Sequence, residues 1–139
     1  MTVNTTSRLG TRVVQHIEQH ARDAYPHECC GALIATGGQI TQAYRLPNTT
    51  AEGPRRRFRI SPSDYRLAEA QALDAGGELA GFYHSHPDSP AKPSAYDLEH
   101  AWPNLLYTIT SVIGGLPGET TAWRLRDDRS GFDQHLLDM

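Results

Sequence analysis

The sequence predicts an α+β domain, a mixed sheet flanked by about three helices. Three observations carry that expectation. Leu9, Val13, Ile17 and Ala21 recur every four residues, the apolar stripe of an amphipathic helix. Residues 31–35 and 39–46 are strand-like runs joined by Gly37-Gly38, a hairpin turn signal. The later strand-like runs do not alternate regularly with helices, which argues against a doubly wound parallel sheet.

The first helix spans residues 7–24. Ser7 is placed as its N-cap, and Tyr25-Pro26 ends it, because the residue before proline is driven out of the α region. His16 and His20 are one turn apart, but no third ligand accompanies them, and they read as solvated side chains. Residues 47–57 read as a polar loop carrying Arg55, Arg56 and Arg57, with Arg59 beyond. A solvated segment is the plain reading. The functional alternative is a clamp for an acidic partner surface or a terminal carboxylate. Residues 58–60 read as a short strand. Ser61-Pro62-Ser63-Asp64 then starts a helix with a capping residue, proline at the first position and an acidic first turn. Tyr65, Leu67, Ala68, Ala72 and Leu73 are its core candidates, and Gly76-Gly77 stops it. Strands follow over 78–85, 105–112 and 120–126, with a loop at 114–118 and a last edge strand at 132–137. Residues 1–6 are expected to form a disordered tail of a single domain covering 1–139.

Composition narrows the function classes. A net charge of −3 gives no nucleic-acid footprint. No apolar run is long enough to span a membrane, and the N-terminus lacks the layout of a signal peptide. Cys29 and Cys30 are adjacent and poorly placed to bridge each other, which suits a reducing compartment. They read as small buried residues at a strand start, with a thiolate ligand or nucleophile as the alternative. The expected location is the cytoplasm.

The chemistry gathers at residues 84–97. His84 and His86 close the apolar run 79–83, and side chains two apart leave a strand on one face. Ser85 points to the other side, and Pro87 is expected to end the strand. Pro87, Pro90 and Pro93 stiffen the next loop. Ser94 caps a short helix over 94–101 whose first turn holds Asp97. Two imidazoles and a carboxylate suit zinc with an open fourth position. Iron remains an alternative, whereas magnesium and calcium prefer all-oxygen sites.

The string His84-Ser85-His86-Pro87, followed after six residues by Ser94-x-x-Asp97, resembles the JAMM (MPN+, JAB) metalloprotease signature. Glu28, in Pro26-His27-Glu28-Cys29-Cys30-Gly31, matches that signature's upstream glutamate. The resemblance covers residues 9–137 and is nearer to the short bacterial branch. It implies the JAB/MPN fold, a curved sheet wrapped by helices and similar to cytidine deaminases. It also implies one zinc per chain on His84, His86 and Asp97. Glu28 becomes the general base, and Ser94 a donor to the oxyanion, a role that competes with capping. The implied partner is a small ubiquitin-like sulfur carrier protein, or a peptide, cut after a C-terminal Gly-Gly. A scaffold or binding module for a ubiquitin-like partner is the alternative function. A zinc deaminase would want a Cys-x-x-Cys pair, which Cys29-Cys30 is not.

Overall fold

The computed structural model describes residues 6–48 and 59–139. The elements are β1 (Thr6–Arg8), α1 (Thr11–Ala24), β2 (Cys30–Thr36), β3 (Gln39–Leu46), α2 (Pro62–Asp74), β4 (Glu78–Pro87), α3 (Ala95–His100), β5 (Leu106–Ile113), β6 (Leu116–Leu125) and β7 (Phe132–Asp138). One mixed sheet holds the seven strands in the order β1-β7-β6-β5-β4-β2-β3. β4 lies inside it, antiparallel to β2 and parallel to β5. Leu9 curls the sheet. Its N–H donates to the Asp138 carbonyl at 2.9 Å, and it bridges to Ile40 on the opposite edge strand, so the two edges meet.

Each face of the sheet buries its own cluster. Val13, Ile17 and Ala21 of α1 pack with Leu33, Tyr83 and Val112 on one side. On the other, Ala68 of α2 packs with Phe82, Tyr107 and Leu125. Gly81 lets β4 and β5 approach closely, since a Cβ there would fall on the Leu106 backbone. Gly31 plays the same part against the Tyr83 ring.

The structure departs from the sequence expectations in several places. The expected helix start at Ser7 is strand β1, which pairs in parallel with β7. α1 begins at Thr11 with Gly10 as N-cap and no side-chain cap. Leu9 is buried as the helical stripe predicts, but in the bridge to Ile40. Only residues 1–5 of the expected tail fall outside the described residues, as do Arg55, Arg56, Arg57 and Phe58. Arg59 and Ile60 are described and are not in a strand. Leu67 and Leu73 are exposed, while Ala68 and Ala72 carry the buried face of α2. The 114–118 loop shrinks to Gly114-Gly115, both at positive φ (58° and 84°), which permits a tight hairpin turn and lets β6 start at Leu116. β4 runs two residues past the expected 85 and ends at Pro87, which pairs with Val112.

His20 is not solvated as expected. Its Nδ1 lies 2.7 Å from the Tyr83 hydroxyl, and its ring meets the Tyr83 ring edge-on. Burial, then the nearby Arg45 charge, lowers its pKa to about 4. The folded value lies below the unfolded one, near 6.5. The neutral imidazole therefore favours folding above pH 6.5, and that contribution is lost as pH falls toward 4. Thermal midpoints of the wild type should drop across this window, and His20→Asn should flatten the drop. An unchanged slope in the variant would place the acid sensitivity elsewhere.

Candidate metal centre

Register explains how distant residues meet. Cys30 pairs with His84 across β2 and β4. The pairing is continued by Ser85 N–H donating to the Cys29 carbonyl at 3.1 Å and by Cys29 N–H donating to Ser85 Oγ at 2.9 Å. One residue further, Glu28 comes opposite His86. Alternation then puts Glu28, His84 and His86 on one face, and Ser85 uses the other face to pin the extended segment before β2 that carries Glu28.

Asp97 arrives from the first turn of α3. Ser94 Oγ accepts from Asp97 N–H at 3.0 Å, and Asp97 Oδ2 accepts from Ser94 N–H at 2.9 Å, a reciprocal capping box. Asp97 Oδ2 lies 3.2 Å from His84 Nε2 and 3.1 Å from His86 Nε2, and the two Nε2 atoms are 3.2 Å apart. One donor atom from each of Glu28, His84, His86 and Asp97 lies within 4.8 Å of the others. All four residues are buried, 1% to 6% exposed.

The donor chemistry fits a cation. A carbonyl only accepts, so the 2.8 Å contact from His86 Nδ1 to the Pro90 carbonyl fixes the proton on Nδ1. In the neutral ring, His86 Nε2 then turns a lone pair toward Asp97 Oδ2. Glu28 Oε1 is buried with no hydrogen-bond partner among the described residues. These are the groups a divalent ion would satisfy, and the Pro90 contact is the kind of outer bond that orients a ligating imidazole. Electrostatics agrees. Burial, then the Asp97 charge, raises the Glu28 pKa to about 9. Burial lowers that of His84. Burial would raise the Asp97 carboxyl, but the His84 charge and the contacts with His84, His86 and Ser94 hold it far below the usual carboxylate range.

The centre opens on a cleft of about 930 Å³, lined by Glu28, His86 and Ser94, with Pro26, Lys92 and Tyr96 among its walls. Ser94 is thus both N-cap and cleft residue. Capping takes a lone pair of Oγ, and the hydroxyl proton remains to be donated. Cys29 and Cys30 are buried free thiols. Burial raises both pKa values, that of Cys29 to about 11, so neither is a ready thiolate.

Sequence reasoning missed the groups that hold the loop. Ser111 Oγ donates to the Ser89 carbonyl at 2.7 Å, and Thr121 Oγ donates to the Ala91 carbonyl at 2.6 Å. With His86 on Pro90, three successive loop carbonyls are tied down. Arg129 donates to the Ala101, Leu98 and Glu99 carbonyls at 2.8, 3.3 and 3.2 Å, closing the C-terminal end of α3. The available signal was hydroxyl residues, Thr108, Thr110 and Ser111, inside an otherwise apolar strand.

A curled mixed sheet with helices on both faces and a His-x-His pair on an interior strand defines a domain of the JAB/MPN class. The chain belongs to the family described as prokaryotic homologs of the JAB domain, which matches residues 10–126. A desampylase of Haloferax volcanii is 36% identical over 120 residues, 79% of this chain and 85% of its own. A CysO-cysteine peptidase of Mycobacterium tuberculosis is 30% identical over 123 residues, 83% of this chain and 80% of its own. A JAB1/MPN domain protein from Archaeoglobus fulgidus shares the fold, with a TM-score of 0.58 at 15% identity, covering 96% of this chain and 97% of that one. Among the described residues no helix is long and apolar enough to cross a membrane.

The loop tethers predict a coupled loss. Thr121→Val keeps the shape but deprives the Ala91 carbonyl of its donor and Trp123 Nε1–H of its acceptor, which should cost about 1–3 kcal/mol in denaturant unfolding. Metal affinity, measured by chelator competition, should weaken about 10-fold with it. A stability loss at unchanged affinity would show that the loop holds the site without this tether.

Proposed function

We propose that the protein is a zinc-dependent peptidase that hydrolyses the amide or isopeptide bond after the C-terminal Gly-Gly of a small ubiquitin-like sulfur carrier protein. The observation that carries this reading is the buried meeting of His84, His86 and Asp97, with Glu28 beside them, at the floor of an open cleft. The names of the two curated relatives, a desampylase and a CysO-cysteine peptidase, support a hydrolase with a protein-linked substrate. Two buried free thiols suit work in the reducing cytoplasm.

His84, His86 and Asp97 would hold one zinc per chain. When bound, zinc lowers the pKa of water from 15.7 to about 7 and polarises the scissile carbonyl. The chain's own residues do the rest. Glu28 takes the proton of the attacking water and returns it to the departing amine as the C–N bond breaks. Burial and the Asp97 charge hold this carboxyl at about 9, protonated at neutral pH; next to the charge of a bound zinc it would take the carboxylate form that accepts the proton. Ser94 keeps its Oγ lone pair on the Asp97 N–H and turns its O–H toward the oxygen that gains charge on addition, an interaction that in known sites contributes about 2.7–4 kcal/mol. An extended Gly-Gly tail brings little side-chain bulk and enters a cleft walled by prolines.

Metal content and cleavage of Gly-Gly-tailed carrier conjugates test the reading together. The wild type should carry about one zinc and cleave. His86→Ala should lose both. Glu28→Gln should keep the zinc but slow cleavage about 10²–10⁴-fold, the usual worth of a general base. Zinc without cleavage of any carrier would move the substrate toward other peptides. Absence of zinc from the wild type would sink the mechanism and leave a binding module.

A further inference from the structure

Among the described residues that line the cleft, one carries a permanent positive charge that the hydrolytic reading does not use. Lys92 lies in the loop between His86 and Ser94, lines the cleft, and is exposed. It is the sole lysine among the 13 lysine and arginine residues of the chain. Among the described residues it makes no ion pair. Two nearby carboxylates are engaged elsewhere, and the third, Glu28, is buried in the four-residue cluster of the metal centre. Asp88 accepts from the Tyr25 hydroxyl at 2.6 Å and from Gly114 N–H at 2.8 Å. Asp97 faces the two imidazoles.

The stem of Lys92 is also fixed relative to the reacting centre. Its N–H donates to the Pro90 carbonyl at 2.9 Å, the same carbonyl that takes His86 Nδ1–H at 2.8 Å. Pro90 and Pro93 bracket it. The flexible part begins at the side chain, so the ammonium moves within the cleft that Glu28, His86 and Ser94 also line. A compact, mobile point charge in such a place suits a single carboxylate.

We propose that Lys92 reads a carboxylate on the amine side of the scissile bond. It would thereby select adducts in which the carrier terminus is joined to the α-amino group of an amino acid, over isopeptides to a lysine of a second protein. In an α-amide a single carbon separates the scissile nitrogen from the free carboxylate. In a lysine isopeptide the whole side chain separates that nitrogen from a backbone carbonyl, which is neutral. The inference rests on the proposed function and names the substrate class within it.

The test compares two substrates that differ only in this charge. One is a Gly-Gly-tailed ubiquitin-like carrier extended by alanine with a free carboxylate, and the other is its alaninamide counterpart. The zinc-loaded wild type should prefer the free acid about 10-fold in kcat/KM, the scale of one charge-assisted contact. Lys92→Ala should bring the ratio of the two substrates close to one, and Lys92→Arg should restore part of it. Zinc content and thermal midpoint, measured on the same samples, check that the variants are folded. Equal rates on the two substrates in the wild type, or an unaltered preference in Lys92→Ala, overturn the inference and leave the peptidase standing. Failure of the zinc-loaded wild type to cleave either substrate overturns the carrier-peptidase reading, and this inference with it.

Discussion

Two imidazole nitrogens and one carboxylate oxygen meet at 3.1–3.2 Å inside this protein. With both rings neutral that meeting is unfavourable. His86 donates its Nδ1–H to the Pro90 carbonyl, so in the neutral ring its Nε2 offers only a lone pair. A proton on His84 Nε2 can bridge to Asp97, but it leaves His86 Nε2 facing the carboxylate without one. Gathering these atoms out of water costs free energy that only a shared positive charge returns. The surroundings hold them together regardless. β4 is locked between β2 and β5, the capping box fixes Asp97, and the loop carbonyls are bound one by one. A scaffold that enforces such a convergence is one prepared for an ion.

The same constraint explains the divided labour of residues 84–97. Even and odd positions of β4 face opposite ways, so His84 and His86 serve the cleft while Ser85 holds the backbone of Cys29. Asn48 adds a second hold there, donating to the Glu28 carbonyl at 3.3 Å and accepting from Arg59 N–H at 3.1 Å. Glu28 is thus held by its neighbours' backbone bonds, while its own carboxyl stays uncommitted beside the three donors. A group so placed can take and return a proton without first breaking a contact.

Much of this was legible in the sequence because the deciding relations are local. His84 and His86 share a face by strand alternation, and Ser94 and Asp97 meet by the three-residue spacing of an N-cap. The same holds for α2, whose Ser61-Pro62-x-Asp64 start is confirmed by Ser61 accepting from Asp64 N–H at 3.1 Å. What escaped depends on non-local pairing. β1 exists because its partner β7 lies at the other end of the chain. Glu28 faces His86 only through the β2–β4 register, and family resemblance alone pointed to it beforehand. Leu67 and Leu73 show the limit of hydrophobicity as a guide, since the small Ala68 and Ala72 form the packed face. The donors of Ser111, Thr121 and Arg129 could not be assigned without knowing which loop they would meet.

The central claim is that these three donors bind zinc directly. X-ray absorption at the zinc edge of the metal-loaded protein tests it most directly. The account predicts two imidazole shells at about 2.0–2.1 Å with oxygen ligands at about 2.0–2.2 Å, and no sulfur near 2.3 Å. A sulfur shell would place the ion on Cys29 or Cys30, and an all-oxygen environment would place it away from the histidines. Either result would contradict the assignment of the site.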